Sequence, residues 1–116
     1  MMQTVYRVER VDGEGPYCAL GYSKIHLDGG DDAWSPWSAH PAPRVDGMDE
    51  YEGKAFGFPS LDALQRWFDR DARTRLQAKG FHVAVYTVAR DVVVFGRKQC
   101  AFLRECASCE VTFSLI

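Results

Sequence analysis

Residues 81–116 constrain this chain most. FHVAVYTV (81–88), VVVFG (92–96), KQCAFLRE (98–105) and CEVTFSLI (109–116) follow one another with connections of only a few residues. Each segment is rich in β-branched and aromatic side chains, the residues that suit a pleated, half-buried surface. Links this short cannot make the crossover that parallel strands require, so successive strands are expected to pair antiparallel. In the last segment Val111, Phe113 and Leu115 alternate with Glu110, Thr112 and Ser114. That period predicts one face against a core and one in water.

Upstream lies the strongest helix signal, FGFPSLDALQRWF at 56–68. Pro59 holds Phe58 extended. Ser60 is a good N-cap, and Asp62 places a negative charge in the first turn. Leu61, Leu64, Trp67 and Phe68 recur at helical spacing and form the expected buried stripe. DARTRLQAKG continues the helical character, and Gly80 suits the left-handed position that closes a helix. One principal helix is therefore expected over about residues 60–79. TVYRVER at 4–10 reads as a first strand, with Tyr6 and Val8 toward the core and Arg7 on the opposite face beside Val5.

Residues 17–54 are the least regular part of the chain. YCALGYSKIHL offers one short strand, and the remainder is rich in glycine, proline and aspartate. This long loop also carries Trp34, Trp37 and His40. Tryptophans favour burial, and long irregular loops in compact domains are often functional. The sum is a single domain over residues 1–116. Its fold class is α+β, with a mostly antiparallel sheet, one principal helix and a long tryptophan-rich loop.

Charge excludes one class of function. Fourteen basic residues are nearly balanced by sixteen acidic ones, for a formal net charge of −2. No broad basic field is available to hold a nucleic-acid backbone. Arg66, Arg70, Arg73, Arg75 and Lys79 share a segment with Asp69 and Asp71, which reads as a solvated helix face. No run approaches the roughly 18 apolar residues of a membrane span. MMQTVYRVER lacks a secretory leader's basic-then-apolar pattern, so the expected compartment is the cytoplasm, with cysteines as thiols.

The candidate chemistry is sparse. Cys106 and Cys109 form a C-x-x-C with Cys100 upstream. A strong zinc signature has two such pairs, so zinc is not expected. Nor does the pair open a helix, as a thioredoxin-like site requires. Cys18 and Cys100 read as small buried hydrophobes. Of the histidines, His40 is the candidate acid or base, because it sits in the loop, while His26 lies near a turn and His82 within a strand. Asp46, Asp49, Glu50 and Glu52 lack calcium-loop spacing and read as a solvated loop. No phosphate-binding glycine loop or serine-nucleophile elbow is present.

The order of segments resembles that of small ADP-ribosyltransferase-like domains. YRVER is a first strand with an arginine, FGFPSLDALQRWF is an aromatic and hydroxyl stretch opening a helix, and KQCAF lies on a late strand. The resemblance implies NAD as cofactor. It assigns Arg7 to NAD contact and catalysis, with Arg10 as fallback, and Phe58 and Ser60 to the cofactor platform. Gln99 stands at the catalytic position where the family has a glutamate. A glutamine can hydrogen-bond a ribose hydroxyl but cannot act as a carboxylate, so weak or absent transferase activity is the expectation. The chain is also similar to uncharacterised phage and prophage proteins, several of which block host defence. That likeness implies a non-catalytic protein that binds a host complex. Trp34, Trp37 and Arg44 are its expected anchors, since tryptophan and arginine dominate interface hot spots.

Overall fold

The computed structural model describes residues 1–16 and 46–116. Its elements run β1 (Met2–Glu9), β2 (Ala55–Gly57), α1 (Leu61–Trp67), α2 (Arg70–Ala78), β3 (His82–Ala89), β4 (Val94–Phe95), β5 (Cys100–Phe102) and β6 (Ser108–Phe113). The fold is α+β, and every strand pair among the described residues is antiparallel. One sheet has the order β1-β3-β6 and the other β2-β5-β4. In the first, Met2 lies opposite Ala89 and Glu9 opposite His82. A bridge between Tyr6 and Phe58 ties the outer side of β1 to the chain just after β2.

The first sheet is buried on both faces where β1 and β3 run. On one face Val8 and Val83 pack under Leu64, Trp67, Phe68, Ala72, Leu76 and Phe81. On the other, Val5, Ala84, Tyr86 and Val88 pack against Val93, Cys100 and Phe102. The molecule is thus layered: helices, long sheet, short sheet. This corrects the one-sided reading of the first strand. Val8 is buried as expected and Tyr6 only half-buried, while Val5, Arg7 and Glu9 are buried on the other side.

The helical stretch is divided. Ser60 caps α1, its Oγ accepting from Ala63 N at 3.1 Å. Phe68 then turns extended, and Asp69 starts α2 by accepting from Ala72 N at 2.8 Å. The reason for the break is local. An aspartate side chain competes for backbone donors and favours a cap over a helix interior. The joint lets Trp67 and Phe68 both reach the core, as expected for Leu64 too, while Leu61 is half-buried. α2 closes at Gly80 with φ +94°, where Phe81 N bonds Leu76 O and Gly80 N bonds Gln77 O. These two bonds satisfy the last carbonyls of the helix.

β6 departs from expectation. Leu115, beyond its end, is buried, but Val111 is 53% exposed and Phe113 39%. Among the described residues the strand pairs only with β3, and its register slips by one residue at Glu110. The tail is tied down by Gln77, whose Oε1 accepts from Leu115 N at 2.7 Å and from the Ser114 hydroxyl at 2.6 Å. Among the described residues no helix is long and apolar enough to cross a membrane.

Candidate functional site

Arg7 sits within a buried polar cluster. Its Nε donates to Glu9 Oε1 at 2.9 Å, and its two terminal nitrogens donate to Phe56 O at 2.8 Å and Gly13 O at 3.0 Å. Glu9 in turn accepts from the Tyr86 hydroxyl at 2.8 Å. Arg104 completes the cluster, donating to that hydroxyl at 3.0 Å and lying 3.3 Å from Glu9 Oε1. Burial lowers the pKa of the Arg7 guanidinium, against the pull of Glu9, and raises that of Tyr86. The arrangement satisfies charges that would be costly to leave bare. It stitches β1, β3, β2 and the turn at Gly13 together. Arg10, the fallback, pairs with Glu14 and lies over the Phe81 ring.

Gln99 lies at the start of β5, buried, in the hairpin joining β4 to β5. A carboxylate does lie beside it, contributed by Asp46. Asp46 Oδ2 accepts from Gln99 N at 3.1 Å, both its oxygens lie within 3.0 Å of Lys98 N, and its carbonyl accepts from Arg97 N at 2.8 Å. Gly96 permits the approach, because a Cβ there would fall 2.2 Å from Asp46 Oδ2. Asp46 is only 2% exposed, which corrects its reading as part of a solvated acidic loop; Asp49, Glu50 and Glu52 are exposed as expected.

Phe58 and Ser60 flank Pro59 on the segment that enters α1. Gly57 pairs with Cys100, so the chain after β2 runs beside the hairpin. A cleft of about 370 Å³ opens between them, lined by Pro59, Ala63, Arg66, Trp67, Arg97 and Lys98. The Phe58 ring is buried, 5.5 Å from that of Trp67 and 6.1 Å from that of Phe68. Pro59 and Lys98, next in sequence to Ser60 and Gln99, line this cleft, and Arg7, Phe58, Ser60 and Gln99 are not among its described lining residues. Arg97 and Lys98 were missed by sequence reasoning. Their only signal was two adjacent cations following Gly96 at a hairpin tip.

Trp34, Trp37, Arg44, His26, His40 and Cys18 lie outside the described residues. Cys106 and Cys109 are exposed. Cys100 is buried among apolar side chains, which pushes its thiol up to about 12. Among the described residues no group of three or more His, Cys, Asp or Glu could hold a metal ion.

The family model described as Bacteriophage T4 Y00F protein matches residues 1–116. A protein of Enterobacteria phage T4, "Uncharacterized 19.7 kDa protein in motB-dexA intergenic region", is 40% identical over 52 residues. That match covers 45% of this chain and 31% of the phage protein. No solved structure matches.

Proposed function

Starting from a chain that belongs to the Bacteriophage T4 Y00F protein family, we propose a non-catalytic binding protein that engages a host protein complex. One observation carries this reading. All six residues of β6 are exposed, yet Val111 and Phe113 stand there in the open, with Ile116 51% exposed just beyond. Grouped apolar side chains on an open sheet edge are a feature that proteins usually cover. Trp34, Trp37 and Arg44 are the further anchors of this reading. Host defence is the class of target it favours.

The transferase-like alternative, with NAD as cofactor, rests on the cleft lined by Pro59 and Lys98, next in sequence to Ser60 and Gln99. It requires Arg7 to give up three hydrogen bonds. Two measurements separate the readings. Immobilised protein is exposed to host extract beside a Val111→Asp/Phe113→Asp variant of matched thermal stability. The binding reading expects one host protein retained by the native chain and lost by the variant. Equal retention by both overturns the role of β6. Saturable heat on titration with NAD, with label transfer from NAD to protein, overturns the non-catalytic reading.

A further inference from the structure

Among the described residues, β6 ends its sheet with one edge open. The order β1-β3-β6 gives it β3 on one side and no described strand on the other. Which backbone groups face the open side follows from the ladder. Tyr6 exchanges both N–H···O bonds with Phe58, at 2.8 Å each, so its backbone points away from β3. Opposite residues of an antiparallel pair either both bond across it or both face away. Val85, opposite Tyr6, therefore faces β6, and Val111, opposite Val85, bonds back to it. Phe113, opposite Val83, does the same two residues on. Thr112, between them, turns its N–H and C=O outward. Val111 and Phe113 share one face of the strand, 53% and 39% exposed. A lysine, a proline, a bulge or a charge usually blunts such an edge. Residues 111–113 have none of these, because the bulge and the one charge of β6 sit at Glu110.

We propose that this edge pairs with the same edge of a second copy of the chain, joining two three-stranded sheets into one about a twofold axis at Thr112. A twofold interface must be self-complementary. In the antiparallel register centred on Thr112, β6 is. Thr112 of each copy donates its N–H to the Thr112 carbonyl of the other. Val111 of each copy lies opposite Phe113 of the other, so the exposed apolar side chains meet on one face. Pairs of an aromatic with a β-branched residue stabilise neighbouring strands, as do paired threonines. Glu110 falls opposite Ser114 of the other copy, which keeps the two carboxylates four positions apart, about 14 Å. At that distance exposed charges are largely screened. Centring the axis on Val111 would instead bring the two Glu110 side chains within two positions and set Phe113 against Cys109, beside the bulge. The inference goes beyond host binding through β6 and does not rest on it. It describes the free chain, and a host protein taking the same edge would displace the second copy.

Sedimentation velocity of the full chain, from micromolar to millimolar concentration, tests the assignment. A monomer is expected to give way to a dimer as concentration rises, with hydrogen exchange of the Thr112 amide slowing in step. Thr112→Pro removes the outward donor and leaves the bonds of Val111 and Phe113 to β3 in place, since an edge strand tolerates proline where its N–H faces solvent. It is expected to weaken dimerisation at least tenfold. Val111→Asp sets a charge against Phe113 of the other copy and is expected to do the same, which reads the contact through a side chain should the proline variant melt early. Val92→Asp, at an exposed apolar residue outside β6, is the control and is expected to leave the dimer unchanged. A monomer at every concentration overturns the inference. So does a dimer that Thr112→Pro and Val111→Asp both leave intact, or one whose formation does not slow exchange at Thr112. A host protein retained through Val111 and Phe113 by a chain that stays monomeric also overturns it and supports the host-binding reading alone.

Discussion

β3 has two neighbours, and they live in different environments. β1 is covered by helices on one face and by the short sheet on the other, so that Val5 and Val8 are both buried. β6 is paired to the same central strand yet exposed along its whole length. β6 alternates apolar with polar side chains, whereas β1 carries Val5 on one face and Tyr6 and Val8 on the other. The pairing is therefore no guide to burial. What differs is the reach of the covering layers: α1 and α2 lie over β1 and β3, and only Leu115, beyond the end of β6, is drawn under them. The difference teaches that β1 is held by the core on both faces, while β6 is held by its pairing with β3 and by the tail beyond it.

Mutations can break that comparison, beginning where the effect is greatest. Phe68→Ala removes a fully buried ring from beneath the helices and is expected to cost about 3–5 kcal/mol in urea unfolding. On the opposite face, Glu9→Ala leaves buried Arg7 without its ion pair, and a cost of about 3–5 kcal/mol is expected by the same measurement. A loss well under 1 kcal/mol there would show that β1 is not held from both sides. Asp46→Ala bares the buried N–H of Gln99, with an expected cost of about 1–3 kcal/mol.

Alkali provides the next test of the short-sheet side. The Cys100 thiol has an ordinary value near 9 and is raised to about 12 in the fold. A raised pKa means that the folded state holds the proton more tightly. The stabilisation is complete below pH 9 and is lost as pH climbs toward 12, by about 1.4 kcal/mol per pH unit. Tyr86, also raised, adds in the same direction above its ordinary value of 10. Urea midpoints at pH 8, 9.5 and 11 should fall more steeply for the native chain than for Cys100→Ala. The smallest effect belongs to β6, where Val111→Thr is expected to change stability by no more than about 0.5 kcal/mol. A larger loss would mean that β6 is part of the core after all.

Much of the fold is legible from local rules. Ser60 announces a helix start, Gly80 a helix end, and FHVAVYTV a central strand, because each depends on near neighbours in sequence. The break at Asp69 was hidden, since an aspartate on a charged helix face looks the same as one that caps. The site was harder to read. Arg7 resembles a ligand contact until Glu9, Tyr86 and Arg104 are seen around it, and Tyr86 and Arg104 are 79 and 97 residues away. Asp46 looked like one of several loop acids, and only the hairpin at Gly96 distinguishes it. Arg97 and Lys98 acquire meaning through their proximity to Arg66, which no period or motif encodes.

The long pairing of β1 also bears on how the chain comes to be folded. The backbone partners of Met2–Glu9 are residues 82–89. Neither α1, with seven residues, nor α2, with nine, is long enough to hold its shape alone in water. The β1–β3 ladder therefore forms only once residues 82–89 have been added. Closing so distant a contact is slow compared with forming local ones. β1 is thus among the last parts to be placed, and chains truncated before residue 82 are expected to lack the long sheet altogether.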